Sequence, residues 1–114
     1  MVADVVVVPP TPASFETSEY NTQYGLGKIN ASEIYSDGYN GSGVIVGVID
    51  TGVDIDHPDL VSNIASGGYY YVSGDSDASP SSQGSSMSHG THVAGIIAGM
   101  KNDVGMHGVA YSAK

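Results

Sequence analysis

The 114-residue sequence lacks cysteine, tryptophan and arginine, and three lysines are its only fully basic side chains. The lack of cysteine excludes a disulfide framework and catalysis by a thiol. With 12 acidic side chains the formal net charge is −9, which argues against nucleic acid as a partner because phosphates require clustered lysine and arginine. No apolar run approaches the roughly 20 residues of a membrane span. We therefore expect no membrane contact by this segment, and we expect any secretion signal to have been removed.

The chain divides into a short leader and one domain. Residues 1–14 are rich in proline and valine without a helical period, which predicts an extended leader or linker. The domain is predicted to span 15–114. Its composition, rich in serine, glycine, asparagine, tyrosine and threonine, is typical of an exported bacterial protein.

The first predicted helix covers 31–36. Asn30 and Glu33 have the spacing of a capping box, and Ile29 and Ile34 flank them at the positions of a hydrophobic staple. Gly38 stands where a helix would end, because glycine readily adopts the left-handed conformation that closes one.

Two further elements follow. Residues 44–49 read VIVGVI, a β-branched run without alternation, which predicts a central strand of a parallel sheet with both faces covered. The Ser/Gly/Asp-rich stretch 73–83 predicts a surface loop. Ser88 is placed as the N-cap of a helix over 89–99, whose many alanines and glycines suit a buried helix with close neighbours.

Asp50 and His89 are the residues placed for chemistry. Asp50 follows the predicted strand at its carboxyl end, where parallel sheets form binding crevices. His89 lies in the first turn of the predicted helix, where the positive end of the helix dipole favours a neutral imidazole that can act as a base. A carboxylate holding one nitrogen of such a ring supplies two members of a Ser-His-Asp triad.

Three motifs resemble those of the subtilisin family of serine proteases, the subtilases. They are VIDTGVD at 48–54, HPDL at 57–60 and SHGTHVAG at 88–95, and their Asp-before-His order is also the family's. The segments 21–26 and 105–110 are similar to those of bacterial autotransporter passenger domains within that family. The resemblance runs from about Ser18 to Lys114.

The resemblance implies an α/β, three-layer fold with a parallel central sheet and helices on both faces, incomplete in this chain. It implies a serine endopeptidase in which Asp50 orients His89, with peptide substrates, no cofactor required for chemistry, and a secreted or cell-surface location. The nucleophilic serine and the oxyanion-hole asparagine are expected beyond Lys114, in the remainder of the catalytic domain. We therefore expect the 114 residues alone to be inactive. The alternative is a non-catalytic segment that binds calcium or another protein segment.

The resemblance also implies a structural calcium site. The family's ligand positions correspond here to Asp59, Met100, Asn102, Val104 and Met106, and carboxylate and carbonyl oxygens suit calcium. An ordinary turn at Asn102 beside a solvated Asp59 is the alternative.

Other candidate residues are assigned simpler roles. Ser86 lies in GSSMS, which looks like a protease serine motif, but it stands in the wrong segment to be the nucleophile. His92 is predicted to be a buried structural histidine, and His57 and His107 are predicted to be polar turn residues. An aspartic-protease reading of the triplet at Asp50 leaves 89–95 unexplained. A zinc site is disfavoured because the helix histidines are three residues apart without the glutamate of zinc proteases.

Overall fold

The computed structural model of the chain describes residues 6–72, 74–80 and 88–114. The described part contains five α-helices and one short 3₁₀ helix. The helices are α1 (Pro12–Phe15), α2 (Ser18–Thr22), α3 (Tyr24–Lys28), α4 (Ala31–Ser36), the 3₁₀ helix Val61–Asn63 and α5 (His89–Ala98). No helix among the described residues is long and apolar enough to cross a membrane. Helix α1 begins at Pro12, inside the stretch predicted to be an extended leader.

A small aromatic core joins the first four helices to the end of the chain. Its buried members are Tyr20, Leu26, Ala31 and Tyr35, and Phe15 and Tyr111 pack against them. The ring of Tyr111 stands edge-on to that of Tyr35 at 5.0 Å between centroids, a geometry favoured by the aromatic quadrupoles. The core therefore holds the amino-terminal helices against residues about 80 positions later.

His107 lies inside this core, so its prediction as a polar turn residue is wrong. The residue is fully buried, and its ring lies 5.1 to 6.1 Å from those of Tyr20, Tyr35 and Tyr111. Its Nδ1 lies 2.8 Å from the Gly108 carbonyl oxygen. The imidazole ring packs well among tyrosine rings. This contact depends on residues distant in the chain, so the sequence around His107 does not predict it.

Helix α4 spans 31–36 as predicted, but only its carboxyl end forms as the sequence indicates. The Gly38 and Tyr39 amides donate to the Tyr35 and Ile34 carbonyls, the paired bonds of a Schellman motif, and Gly38 has φ +93°. The predicted capping box is wrong. Asn30 has a left-handed backbone (φ 53°) and its side chain accepts no capping bond.

The predicted strand 44–49 is not a strand in this structure, and the parallel sheet stays a prediction. Val44, Ile45 and Ile49 are 51%, 77% and 102% exposed. The Lys114 amide donates to the Val44 carbonyl and the Val46 amide donates to the Lys114 carbonyl, which is the bonding pattern of a parallel pair one residue long. A β-strand needs a partner segment of several paired residues. Within the described part of the chain, only Lys114 pairs with this segment in that way.

Helix α5 spans His89–Ala98, so the predicted helix 89–99 is confirmed to within one residue. Its last carbonyls are bonded by the chain that returns along it. The amides of Gly108, Val109 and Ala110 donate to the carbonyls of Gly99, Ile96 and Ile97. The helix is half-covered: only Gly90 and Ala94 are buried within it. An apolar cavity of about 360 Å³, lined on the helix by Ala94, Ile97 and Ala98, lies between α5 and residues 45–48.

Candidate active site

Asp50 and His89 lie side by side, although 39 residues separate them in the chain. The His89 Nδ1 is 2.8 and 2.9 Å from the two Asp50 carboxylate oxygens. An ionised carboxylate only accepts hydrogen bonds, so it fixes the tautomer in which Nδ1 carries the proton. The His89 side chain is 65% exposed, whereas that of Asp50 is 16% exposed. The Nε2 makes no hydrogen bond to any described residue, so this ring can accept a proton there.

The loop after Asp50 is fixed to the start of α5 by two threonine hydroxyls. The Thr51 hydroxyl accepts the Gly90 amide at 3.0 Å, and the Thr91 hydroxyl accepts the Asp54 amide at 2.9 Å. A helix begins with amides that lack partners inside the helix, and the Thr51 hydroxyl satisfies one of them. The predicted cap is wrong in this respect: Ser88 is the residue before α5, but its side chain accepts no capping bond.

Glycine at position 90 allows the two segments to touch. A Cβ at Gly90 would lie 2.2 Å from the Gly52 carbonyl oxygen and 3.2 Å from the Asp50 Cβ. Gly52 itself has φ +105°, a region that side chains disfavour. The glycines of the two motifs therefore set the distance between Asp50 and His89.

Hydrogen bonds stabilise the charged form of Asp50. The Thr51 backbone amide donates to Asp50 Oδ1 at 2.7 Å. This amide, and next the His89 ring, hold the pKa of Asp50 below its ordinary value, because each donor favours the carboxylate over the acid. The pair is thus an ionised carboxylate and a histidine whose second nitrogen remains available.

The remaining histidines and serine do not join this pair. The His57 Nδ1 accepts the Asp59 amide at 3.1 Å, which agrees with a turn role. His92 is exposed and its ring bonds no described residue, so the prediction of a buried structural histidine is wrong. Ser86 lies outside the described residues.

The five predicted calcium ligands lie in one region around Asp59. The Asn102 Nδ2 donates to Asp59 Oδ1 at 3.0 Å, the Met100 amide donates to the Asp59 carbonyl, and Met106 and Asp59 line one cavity. The Asn102 amide oxygen accepts the Val104 amide at 3.1 Å. In this orientation the Asn102 amide turns its NH₂ group, and not its oxygen, toward the Asp59 carboxylate, so the Asn102 side chain does not present an oxygen to a cation at Asp59. The described residues contain no group of three His, Asp or Glu side chains able to hold a metal ion.

Sequence reasoning missed Glu19 and Asn63, which hold the region in place. Glu19 is buried and accepts the Asn102 and Asp103 amides at 3.0 and 2.9 Å. The Asn63 Nδ2 donates at 2.8 Å to the carbonyls of Ala98 and Tyr111. Neither residue stands in a motif, and both act on backbone groups far away in the chain, so no local signal marks them.

Comparison with known proteins gives matches that cover most of the chain. The sequence profile of the Subtilase family (Peptidase S8) matches residues 41–114. Subtilisin E of Bacillus subtilis (strain 168) is 48% identical over 90 residues, which cover 79% of this chain and 22% of that protein. An extracellular serine protease of Serratia marcescens is 40% identical over 105 residues, covering 90% of this chain and 10% of that protein. The chain thus spans about a fifth or less of these relatives.

Among solved structures, the crystal structure of Aeromonas sobria serine protease in complex with a chaperone is similar to this chain. The TM-score is 0.68 at 38% identity, and the match covers 75% of this chain and 14% of the other. A likeness of this size in both sequence and coordinates indicates a shared backbone fold over the matched part of the chain.

Proposed function

This chain belongs to the subtilase family, and we propose that it is the part of a serine endopeptidase domain that supplies the Asp and His of the catalytic triad. In this proposal Asp50 orients His89, and the His89 Nε2 takes the proton of a serine contributed by another part of the domain. Peptide bonds are the substrate, and the chemistry needs no cofactor.

The contact of His89 Nδ1 with both Asp50 oxygens, at 2.8 and 2.9 Å, carries the proposal. Removing a proton from serine requires a neutral imidazole in the tautomer that leaves Nε2 unprotonated, and the carboxylate selects it. The positive charge that forms on the ring is then stabilised by Asp50, whose own pKa is held low by Thr51 and His89. The same contacts support Asp50 and His89 in these roles over a purely structural ion pair, because the His89 side chain is 65% exposed and its Nε2 bonds no described residue.

We further propose that the parent protein is exported and belongs to the autotransporter type. The segments 21–26 and 105–110 favour this type, and the similar protein of Serratia marcescens is described as extracellular. The chaperone in the Aeromonas sobria structure is a partner of that protein.

Replacing Asp50 in the full-length protein tests the proposal. Asp50→Asn is expected to lower kcat by about 10⁴-fold with little change in KM, because the amide selects the wrong histidine tautomer while leaving the fold intact. Hydrolysis of a chromogenic peptide and labelling by a serine-directed phosphonate measure the activity. To test export, both are measured in the cytoplasmic, outer-membrane and medium fractions.

The exposed Asp56→Asn is the matched control, since Asp56 donates its backbone amide to Asp54 and contacts neither His89 nor Asp50. It should keep wild-type kcat. Unchanged turnover in folded Asp50→Asn would overturn the catalytic assignment, and activity confined to the cytoplasm would overturn export.

A further inference from the structure

A buried glutamate links the amino-terminal helices to the loop that follows α5. Glu19, in α2, is 3% exposed. Its two carboxylate oxygens accept the backbone amides of Asn102 and Asp103, more than 80 residues later, at 3.0 and 2.9 Å. No lysine pairs with Glu19 within the described part of the chain. Two backbone amides are therefore the partners of a carboxylate removed from water.

The loop 100–106 is shaped to receive an anion. Asp103 has φ 65° in the left-handed region, as does Gly105 two residues later. When a residue in that region follows a right-handed one, successive amides turn toward the same side and form a concavity that binds anions. The amides of Asn102 and Asp103 both point at the Glu19 carboxylate, as in such a concavity.

On the other face of the same loop, the polar groups of the Asn102 side chain are hydrogen-bonded to other residues of the protein. The Asn102 side chain donates to Asp59 and accepts from Val104, so both ends of its amide are bonded. A cation at this place requires the amide oxygen of Asn102 to turn toward Asp59, which breaks both bonds. The loop is thus held by Glu19 on one side and by Asp59 on the other.

We propose that the Glu19 carboxylate, and not a bound calcium ion, is the link that joins the amino-terminal helices to the loop after α5. The link consists of charge-assisted hydrogen bonds, which are about twice as strong as neutral ones. Losing it leaves two part-buried backbone amides without their partner, which is a destabilising change. This proposal does not depend on proteolytic activity.

The test compares thermal unfolding and hydrogen exchange of the full-length protein with and without excess chelator. Glu19→Gln keeps the shape of the side chain but turns an NH₂ group toward a backbone amide. We expect the melting temperature to fall by about 5 °C in this variant, since two charge-assisted bonds of a buried carboxylate are weakened. Exchange at the Asn102 and Asp103 amides should accelerate at least about tenfold, and chelator should change neither quantity in the wild type.

The matched control is Glu33→Gln, on an exposed face of α4, which should leave the melting temperature and both exchange rates unchanged. If chelator lowers the wild-type melting temperature and added calcium restores it, a metal is the link and the proposal fails. It also fails if Glu19→Gln leaves exchange at Asn102 and Asp103 as slow as in the wild type. Should Glu19→Gln not fold, exchange at these amides in the wild type with and without chelator still decides between carboxylate and metal.

Discussion

Thr51, Thr91 and two glycines show how single residues set the geometry of the Asp50–His89 pair. Each threonine hydroxyl accepts an amide of the opposite segment. The glycines remove the side-chain atoms that would hold the segments apart. The residue types of these threonines and glycines are therefore as constrained as those of Asp50 and His89 themselves.

Gly90→Ala is predicted to disable the site by pushing its two halves apart. The new Cβ would lie 2.2 Å from the Gly52 carbonyl oxygen, a backbone atom that can move only with the whole loop. We expect the full-length variant to lose at least about 10²-fold in kcat/KM, because misplacement by about 1 Å has this effect in enzymes. Peptide hydrolysis and thermal unfolding provide the measurement.

Gly27→Ala serves as the control, since a Cβ there meets nothing within 4 Å and alanine is the better helix former. Its stability should be unchanged or higher. Wild-type kcat/KM in Gly90→Ala would contradict the close approach of the two segments.

At the scale of elements, α4 and the chain end are joined through Tyr35. Its hydroxyl donates to the Val109 carbonyl at 2.8 Å while its ring lies in the aromatic core. Burial, and after it the nearby Tyr111 and Tyr20, raise the pKa of Tyr35 well above its ordinary value. The neutral phenol is thus the form that the folded protein requires.

Tyr35→Phe in the full-length protein is predicted to lower its stability at neutral pH, and progressively less in alkali. A group whose pKa is raised by folding contributes its full stability below its unfolded pKa, about 10 for tyrosine, and loses it as the pH rises toward the higher folded value. The variant lacks both the hydrogen bond and this titration. Its melting temperature should lie about 2–5 °C below wild type at pH 7, and the gap should narrow above about pH 10.

Tyr39→Phe, at a side chain that is 70% exposed, is the control and should melt with the wild type at pH 7. If the difference in melting temperature between Tyr35→Phe and wild type instead widened in alkali, ionisation of the buried phenol would not explain the pH dependence.

On the scale of the whole molecule, these residues leave much apolar surface uncovered. Val44, Ile45 and Ile49 are exposed, and an apolar cavity lies between this segment and α5. The radius of gyration is 17.1 Å, whereas a globular domain of this length has about 13 Å.

The polypeptide 1–114 produced by itself is therefore predicted to be inactive and to lack a cooperative thermal transition. Exposed β-branched residues and unpaired backbone groups favour aggregation over a single packed state. Calorimetry and near-ultraviolet circular dichroism should show a broad transition and a weak aromatic signal. A sharp two-state melt with phosphonate-sensitive peptidase activity would contradict this, and would direct attention to a nucleophile among its own serines.

The sequence predicted a structural feature correctly where the residues that determine that feature are close together in the chain. The ends of α4 and α5 and the order of Asp50 and His89 could be inferred, because glycine stop signals and family motifs act over a few residues. The capping roles of Asn30 and Ser88 failed for the opposite reason: distant groups can satisfy a helix terminus, as the Thr51 hydroxyl does for Gly90. The burial of His107 likewise depends on the rings of Tyr20 and Tyr35, which come from two distant helices.

The sequence by itself determined the family and its two chemical motifs, since these are runs of residues whose types and order carry the information. The tertiary structure alone decided that the His89 ring faces both Asp50 oxygens and that Gly90 must lack a side chain. It also decided that the loop after α5 turns its amides toward Glu19. Each of these contacts joins residues at least 38 positions apart, and chain folding, not local preference, sets which distant groups meet.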